Sequence, residues 1–258
     1  MAQTALITGA SSGIGYAFAQ LLAAKNYDLV LISRDARKLS EIKQTFEKKY
    51  HIKVHIIPKD LSLATSPLDI CHELEKNQIA VDLLINNAGC GVGGPFLQTD
   101  WNKEAGMIQL NIVNLLYLTK LILPHMTRRN NGGIINVAST VAFTPGPLMS
   151  VYYATKAFVL SFSQALAYEL KDSGVHVTTL CPGPTLTDFQ QKTGIKIPQY
   201  PPWAASAQDV ALFGYKAWLH KKPVAIYGLI NKILVILTRC LPGNWIMRAT
   251  DQFQKSKY

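Results

Sequence analysis

Thr8-Gly9-Ala10-Ser11-Ser12-Gly13-Ile14-Gly15 is the stretch that decides the fold. An apolar run (5–8) precedes it, and a helical pattern (13–25) follows. Glycines let a strand turn sharply and let the backbone approach an anion closely. The open N–H groups at a helix start favour that anion. The turn therefore reads as a cradle for a dinucleotide pyrophosphate. Its spacing is Gly-x-x-x-Gly-x-Gly rather than the commoner Gly-x-Gly-x-x-Gly. Glycines alone can merely mark a turn, so the strand–loop–helix context carries the reading.

Outward from this turn, short apolar runs alternate with helical patterns. Strands are expected at 28–32, 54–57, 81–85, 133–137, 175–180 and 224–227. Apolar strands joined by helices indicate parallel pairing covered on both faces. Right-handed crossovers then give an α/β fold: one Rossmann-type, doubly wound, mostly parallel sheet of seven strands. No linker or repeat divides residues 1–258, so a single dinucleotide-binding domain is expected. The Pro-rich segment 184–205 is read as a substrate lid, and 228–258 as a helical extension. Ser206-Ala-Gln-Asp209 resembles a capping box opening a helix.

Bulk composition narrows the class. Hydrophobic residues make up 48% and charged residues 16% of 258, as in a globular chain. No uncharged apolar stretch of about 18 residues occurs, so no membrane-spanning helix is expected. The N-terminal run lacks a basic leader, so no signal peptide and a cytoplasmic location are expected. Four scattered cysteines read as reduced structural thiols. Six histidines show no metal pattern; His51 and His55 are placed on a strand, and no metal is expected. Of the formal +10 charge, much lies in 214–258, with eight Lys/Arg and one acid. That region is read as a solvated tail or a contact for an anionic membrane or acidic partner. No nucleic-acid partner is expected.

Tyr152-x-x-x-Lys156 sits in a helical segment, where i to i+4 spacing puts both side chains on one face. A nearby ammonium favours a phenolate and lowers the phenol's pKa of about 10. Tyr153 has only Ala157 at that spacing, so Tyr152 is the candidate. Ser139 ends the fifth strand, facing a ligand crevice, or serves as a turn residue. Asn111, in Gln109-Leu-Asn-Ile-Val-Asn114, falls in an otherwise apolar helix and needs a buried partner or a role in the site.

Further segments complete a pattern: Asp60-Leu61, Asn86-Asn87-Ala88-Gly89, and Pro182-Gly183 with Thr187. With the glycine turn, Ser139 and Tyr152-x-x-x-Lys156, they resemble the short-chain dehydrogenase/reductase family over residues 4–227. The resemblance implies an oxidoreductase that moves a hydride between a nicotinamide dinucleotide and a carbonyl or alcohol. It implies Tyr152 as general acid/base, Ser139 as the substrate-oxygen partner and Lys156 on the nicotinamide ribose. Asn111, rather than Asn114, would hold a water linking Lys156 to solvent. Gly9, Ser11, Ser12, Gly13, Ile14 and Gly15 would hold the pyrophosphate, and Asp60 and Leu61 the adenine. Asn87, Ala88, Gly89, Pro182, Gly183 and Thr187 would border the nicotinamide half. A homodimer or homotetramer through helices near 100–127 and 150–172 is a family expectation.

Ser33 stands where NAD-preferring relatives usually carry an acid, and Arg34 follows. A guanidinium pairs bidentately with phosphate, so NADP(H) is expected over NAD(H). Asp35 is the counter-signal, since a backbone shift could aim it at a ribose. Val92, Phe96, Val141, Phe143, Leu148, Met149, Phe189 and Trp203 suggest a pocket for an apolar ketone, aldehyde, steroid-like or acyl-chain compound. Its expected charges are chiefly Asp188 and Lys192. The run from Gly228 to Leu241, then Pro242-Gly243, resembles a bacterial branch of DltE-type short-chain dehydrogenases. The alternative is a non-catalytic NADP(H)-binding regulator or a membrane-associated protein on the same fold.

Overall fold

The structure is a computed structural model describing residues 2–189, 193 and 200–255. Seven parallel strands form one sheet in the order β3-β2-β1-β4-β5-β6-β9. They are β1 (Thr4–Thr8), β2 (Asp28–Ser33), β3 (Val54–Pro58), β4 (Leu83–Asn86), β5 (Gly132–Val137), β6 (Val175–Cys181) and β9 (Val224–Ile226). The chain winds from β1 outward to β3, then returns to β4 on the other side of β1. The switch point between β1 and β4 leaves a crevice at their carboxyl ends, where ligands bind in such sheets.

Side chains alternate across the strands, and both faces are covered. Ala5 and Ile7 of β1 pack with Phe18 and Leu22 of α1 (Gly13–Ala23) and Val210 of α7 (Ala207–Leu219). Phe46 of α2 (Ala36–Tyr50) belongs to the same layer. Leu6 faces the opposite way, into a layer with Ile70 of α3 (Ser66–Lys76), Leu118 and Ile122 of α5 (Asn114–Arg128), and Leu166 of α6 (Ser150–Glu169). Periodicity predicts this division because a two-residue repeat sends neighbours to opposite faces.

Several sequence expectations are corrected. His51 is not on a strand: it ends α2 in the left-handed region, at φ 57. His55 does lie on β3. The fourth strand starts at Leu83 rather than 81. The helix expected over 100–127 is α4 (Trp101–Ile108), a π-helical turn over Gln109–Val113, and α5. The continuous run Trp101–Arg128 is long and apolar enough by length and composition to cross a membrane. Here Leu118, Ile122 and Met126 occupy the core instead.

A small second sheet was not foreseen. It pairs β7 (Thr185–Leu186) with β8 (Ala205–Ser206), clamping the two ends of the expected lid. The lid residues 190–192 and 194–199, Lys192 included, lie outside the described residues. Ser206 accepts a hydrogen bond from the Asp209 N–H at 3.0 Å and caps α7. Beyond β9, the extension is two helices, α8 (Leu229–Cys240) and α9 (Gly243–Lys255).

Candidate active site

A cleft of about 1640 Å³ opens at the switch point. The glycine turn forms its floor. Gly9 and Gly13 have φ of 67 and 55, and a Cβ on Gly15 would run into the Gly9 carbonyl. Glycine is therefore required for the turn to close on itself. Asp35 caps α2 and Asp100 caps α4 through their carboxylates, but Ser12 makes no side-chain cap on α1. The first N–H groups of α1 remain open toward an anion. The residues present therefore fit a pyrophosphate group.

The surrounding loops are pinned by polar side chains. Thr8 Oγ1 accepts the N–H of Asn87 at 2.9 Å and of Ala88 at 3.0 Å. The Asn87 amide donates to Thr8 O at 2.9 Å. Asp60 accepts from Ser62 N–H and Oγ at 2.9 and 2.8 Å. Burial raises the Asp60 pKa, but these hydrogen bonds and Arg34 outweigh it and hold the carboxyl below its ordinary value. Arg34 lies 3.9 Å from Asp60 and is 74% exposed. The Asp35 carboxylate accepts from Lys38 N–H at 3.0 Å, and this capping role turns it back onto its own helix.

Deeper in the cleft, α6 presents Tyr152 and Lys156 beside Ser139 at the end of β5. Lys156 Nζ donates to Val137 O at 2.9 Å. Burial lowers the Lys156 pKa to about 8. Burial pushes the Tyr152 phenol above its ordinary value, nearby Tyr153 adds to this, and a hydrogen bond with Ser139 opposes it. The Ser139 hydrogen bond opposes burial without outweighing it, so the phenol stays above its ordinary value. Both side chains line the cleft from α6, but the expected net lowering of the phenol's pKa is corrected, because burial outweighs the Ser139 hydrogen bond.

Asn111 sits in the π-helical turn, 1% exposed. It donates to Cys90 O at 2.9 Å and to Thr155 Oγ1 at 3.1 Å, and accepts Cys90 N–H at 3.0 Å. A Cβ on Gly89 would come within 3.2 Å of Asn111 Oδ1 and 3.4 Å of Lys156 Nζ. One glycine therefore marks where the two side chains converge. The remaining wall combines Val92, Val141, Met149, Phe189 and Trp203 with residues of α8 and α9. Phe189 packs on Tyr152 with ring centroids 5.5 Å apart. Gln254 of α9, 1% exposed, donates to Tyr153 Oη at 2.6 Å, and its Oε1 has no partner among the described residues.

The short-chain dehydrogenase family model matches residues 3–197. The chain belongs to the short-chain dehydrogenase family. Very-long-chain 3-oxoacyl-CoA reductase-B of Danio rerio is 35% identical over 184 residues, covering 69% of this chain and 58% of that protein. 17-beta-hydroxysteroid dehydrogenase type 3 of Mus musculus is 37% identical over 185 residues, covering 70% and 60%. The chain thus matches somewhat over half the length of these curated relatives. A short-chain dehydrogenase from Sphingobium yanoikuyae, solved in complex with NADPH, superposes with TM-score 0.83 at 32% identity over 88% of each chain.

In this chain the cleft gathers Ser139, Tyr152 and Lys156, with Gly9, Ser11, Ser12, Gly13 and Ile14. Ser33, Arg34, Asp60, Leu61, Asn87, Ala88, Gly89, Pro182, Gly183 and Thr187 also line it. Gly15 and Asn111 stand behind the lining and shape it. Three expected pocket residues do not line the cleft. Phe96 is on an exposed turn, Phe143 packs into a separate apolar cluster, and the carbonyl of Leu148 takes the Gly94 N–H at 2.8 Å. The expectation of few charges holds only at the apolar end, since Lys59, Asp100 and Lys103 also border the cleft.

Two functional supports were missed. Asn114 donates to Leu61 O at 2.6 Å and Leu63 O at 2.8 Å, fixing the loop beside Asp60. A second buried Asn in the same apolar stretch as Asn111 was the available signal. Asn231, Thr238 and Gln254 form part of the cleft from beyond the family match. Burial raises the thiols of Cys71 to about 11 and Cys181 to about 12, and that of Cys90 upward, as suits structural thiols.

Proposed function

We propose that this chain is an NADP(H)-dependent oxidoreductase interconverting a carbonyl and an alcohol on an apolar small molecule. The observation that carries the reading is one cleft holding an uncapped glycine-rich helix start at one end and a Tyr152–Ser139 pair beside buried Lys156 at the other.

The α1 turn would hold the pyrophosphate, with Asp60 and Leu61 at the adenine. Arg34 would hold a 2′-phosphate, and the capping role of Asp35 supports this preference over NAD(H). Asn87, Ala88, Gly89, Pro182, Gly183 and Thr187 would border the nicotinamide. When bound, the cofactor supplies or takes the hydride. Tyr152 donates its proton to the substrate oxygen in reduction and takes one in oxidation. A phenol held above its ordinary pKa stays protonated at neutrality, which suits the reducing direction. Ser139 hydrogen-bonds the same oxygen and stabilises charge developing there. Lys156 would hold the nicotinamide ribose, and Asn111 would organise a proton route between Lys156 and solvent.

Two relatives are named for an oxoacyl thioester and a steroid, both largely apolar. Met149 and Phe189, packed with Tyr152, and Trp203 elsewhere in the cleft lining support that substrate class here. Exposed Val113, Phe158 and Tyr168 on and beside α5 and α6 support assembly as a homodimer or homotetramer. Four free cysteines support a reducing, cytoplasmic location.

The test is NADPH oxidation across apolar ketones, aldehydes, steroid ketones and 3-ketoacyl thioesters, with NADH in parallel. Turnover with NADPH, at least about tenfold more efficient than with NADH, is expected. No turnover across the panel would favour a non-catalytic nucleotide sensor, and equal use of NADH would remove the role given to Arg34.

A further inference from the structure

We propose that α8 is a membrane-docking helix whose outer face lies on an anionic lipid surface. A helix on a water-soluble body normally turns its apolar stripe inward and its polar residues outward. α8 instead carries apolar residues on both sides. Its inward side carries Asn231, Leu234, Val235, Leu237 and Thr238, all lining the cleft, with Asn231 7% and Val235 6% exposed. Its outward side carries Leu229, Ile233 and Ile236, which are 73%, 48% and 60% exposed. At about 100° per residue these three fall within a sector of roughly 60°. Ile230 widens that apolar stripe, and Leu241 and Trp245, exposed at the rim of the cleft, continue the apolar surface past the turn into α9.

An apolar face of this kind calls for a covering partner. Charge decides which one. α8 contains no acidic residue, and residues 214–258 hold eight Lys/Arg against one acid. That acid, Asp251, is paired with Lys255 at 2.7 Å. Exposed Lys232 flanks the apolar sector, and exposed Arg248 follows on α9. A second copy meeting this face across a two-fold axis would set basic region against basic region. Anionic headgroups complement the same charge while the acyl boundary takes the isoleucines. Trp245, 65% exposed at the turn, has the amphipathic ring favoured at such an interface. α8 then acts as a shared wall, with the cleft on one side and lipid on the other. Phe96, Leu97 and Trp101, also exposed, flank cleft-lining Gln98, Thr99 and Asp100 and give the cleft a second apolar rim. The surface stands whatever cofactor or substrate the cleft takes.

Flotation of the full chain with phosphatidylcholine vesicles, with and without phosphatidylserine, tests this. Binding at least about tenfold tighter to the anionic vesicles, and weakening with salt, is expected. Lys232→Glu should weaken it about fivefold or more. Ile233→Ser with Ile236→Ser should abolish it while the thermal melt and nucleotide binding persist. Should that double variant fail to fold, quenching of Trp245 by brominated lipid in the unmodified chain, lost in Trp245→Phe, serves instead. Failure of the unmodified chain to bind anionic vesicles overturns the proposal. So does a dimer in solution that the isoleucine changes dissociate, because the covering partner is then a second copy.

Discussion

On the glycine-loop side of the cleft, Thr8, Asn87, Asp60 and Asn114 commit their polar groups to neighbouring backbone, joining loops after β1, β3 and β4 to α5. On the opposite side, α8 and α9 meet the body through much sparser polar contacts among the described residues. Asn231 donates to Tyr227 O at 2.8 Å, and Gln254 to Tyr153 at 2.6 Å. The first wall is over-determined, as suits a constant ligand whose phosphate and rings must be placed to within about 0.5 Å. The second is an apolar surface with a few polar points, as suits recognition of a largely apolar molecule. The difference teaches where changes should act. Changes to the first wall should move cofactor constants, changes to the second should move substrate constants, and the seam at α6 should control the chemical step.

The largest effect is expected at that seam. Tyr152→Phe should lower kcat by about 10²–10⁴-fold while NADPH binding, followed by fluorescence titration, survives. Loss of NADPH binding as well would show that Tyr152 belongs to the cofactor wall. Arg34→Ala should weaken NADPH by about tenfold or more and leave NADH nearly unchanged, because it removes one charge-assisted phosphate contact. Equal loss for both cofactors would mean that Arg34 only holds Asp60.

Lys156 gives a pH signature. Its folded pKa of about 8 lies below the ordinary 10.5, so the folded chain binds fewer protons than the unfolded one between those values. Stability should therefore rise with pH across that window, by at most about 1.4 kcal/mol per unit from this group. Denaturant melts of the native chain and Lys156→Met at pH 8 and 10 would compare the slopes, and an unchanged slope would show that the residue titrates normally. The smallest effect is expected on the second wall. Gln254→Ala should raise KM severalfold with kcat held, since Gln254 touches Tyr153 rather than Tyr152. A fall in kcat with KM constant would instead couple the C-terminal helix to the chemical step.

The parallel sheet was legible in the sequence because local forces write it. Apolar strand runs repeat between helical patterns, and glycines mark the one turn that must close tightly. The cluster of Ser139, Tyr152 and Lys156 could be nominated from spacing and resemblance, since each sits at the end of a strand or on one helix face. The electrostatics of that cluster could not. That Lys156 donates to the Val137 carbonyl, and that burial raises the phenol, depend on a strand 19 residues earlier in the chain and on the packing around both groups. Nor could the capping of α2 by Asp35, which turns a candidate ribose ligand into a helix terminus, be separated from its alternative before the backbone was placed. The far wall was the least legible. Residues 229–255 show an apolar pattern, but pattern alone does not say which face meets the protein. Tertiary packing decided that, by turning Asn231 and Gln254 inward to polar partners and leaving Ile233 and Ile236 outside. Periodicity records that a helix has two faces; only contacts distant in sequence choose which one is buried.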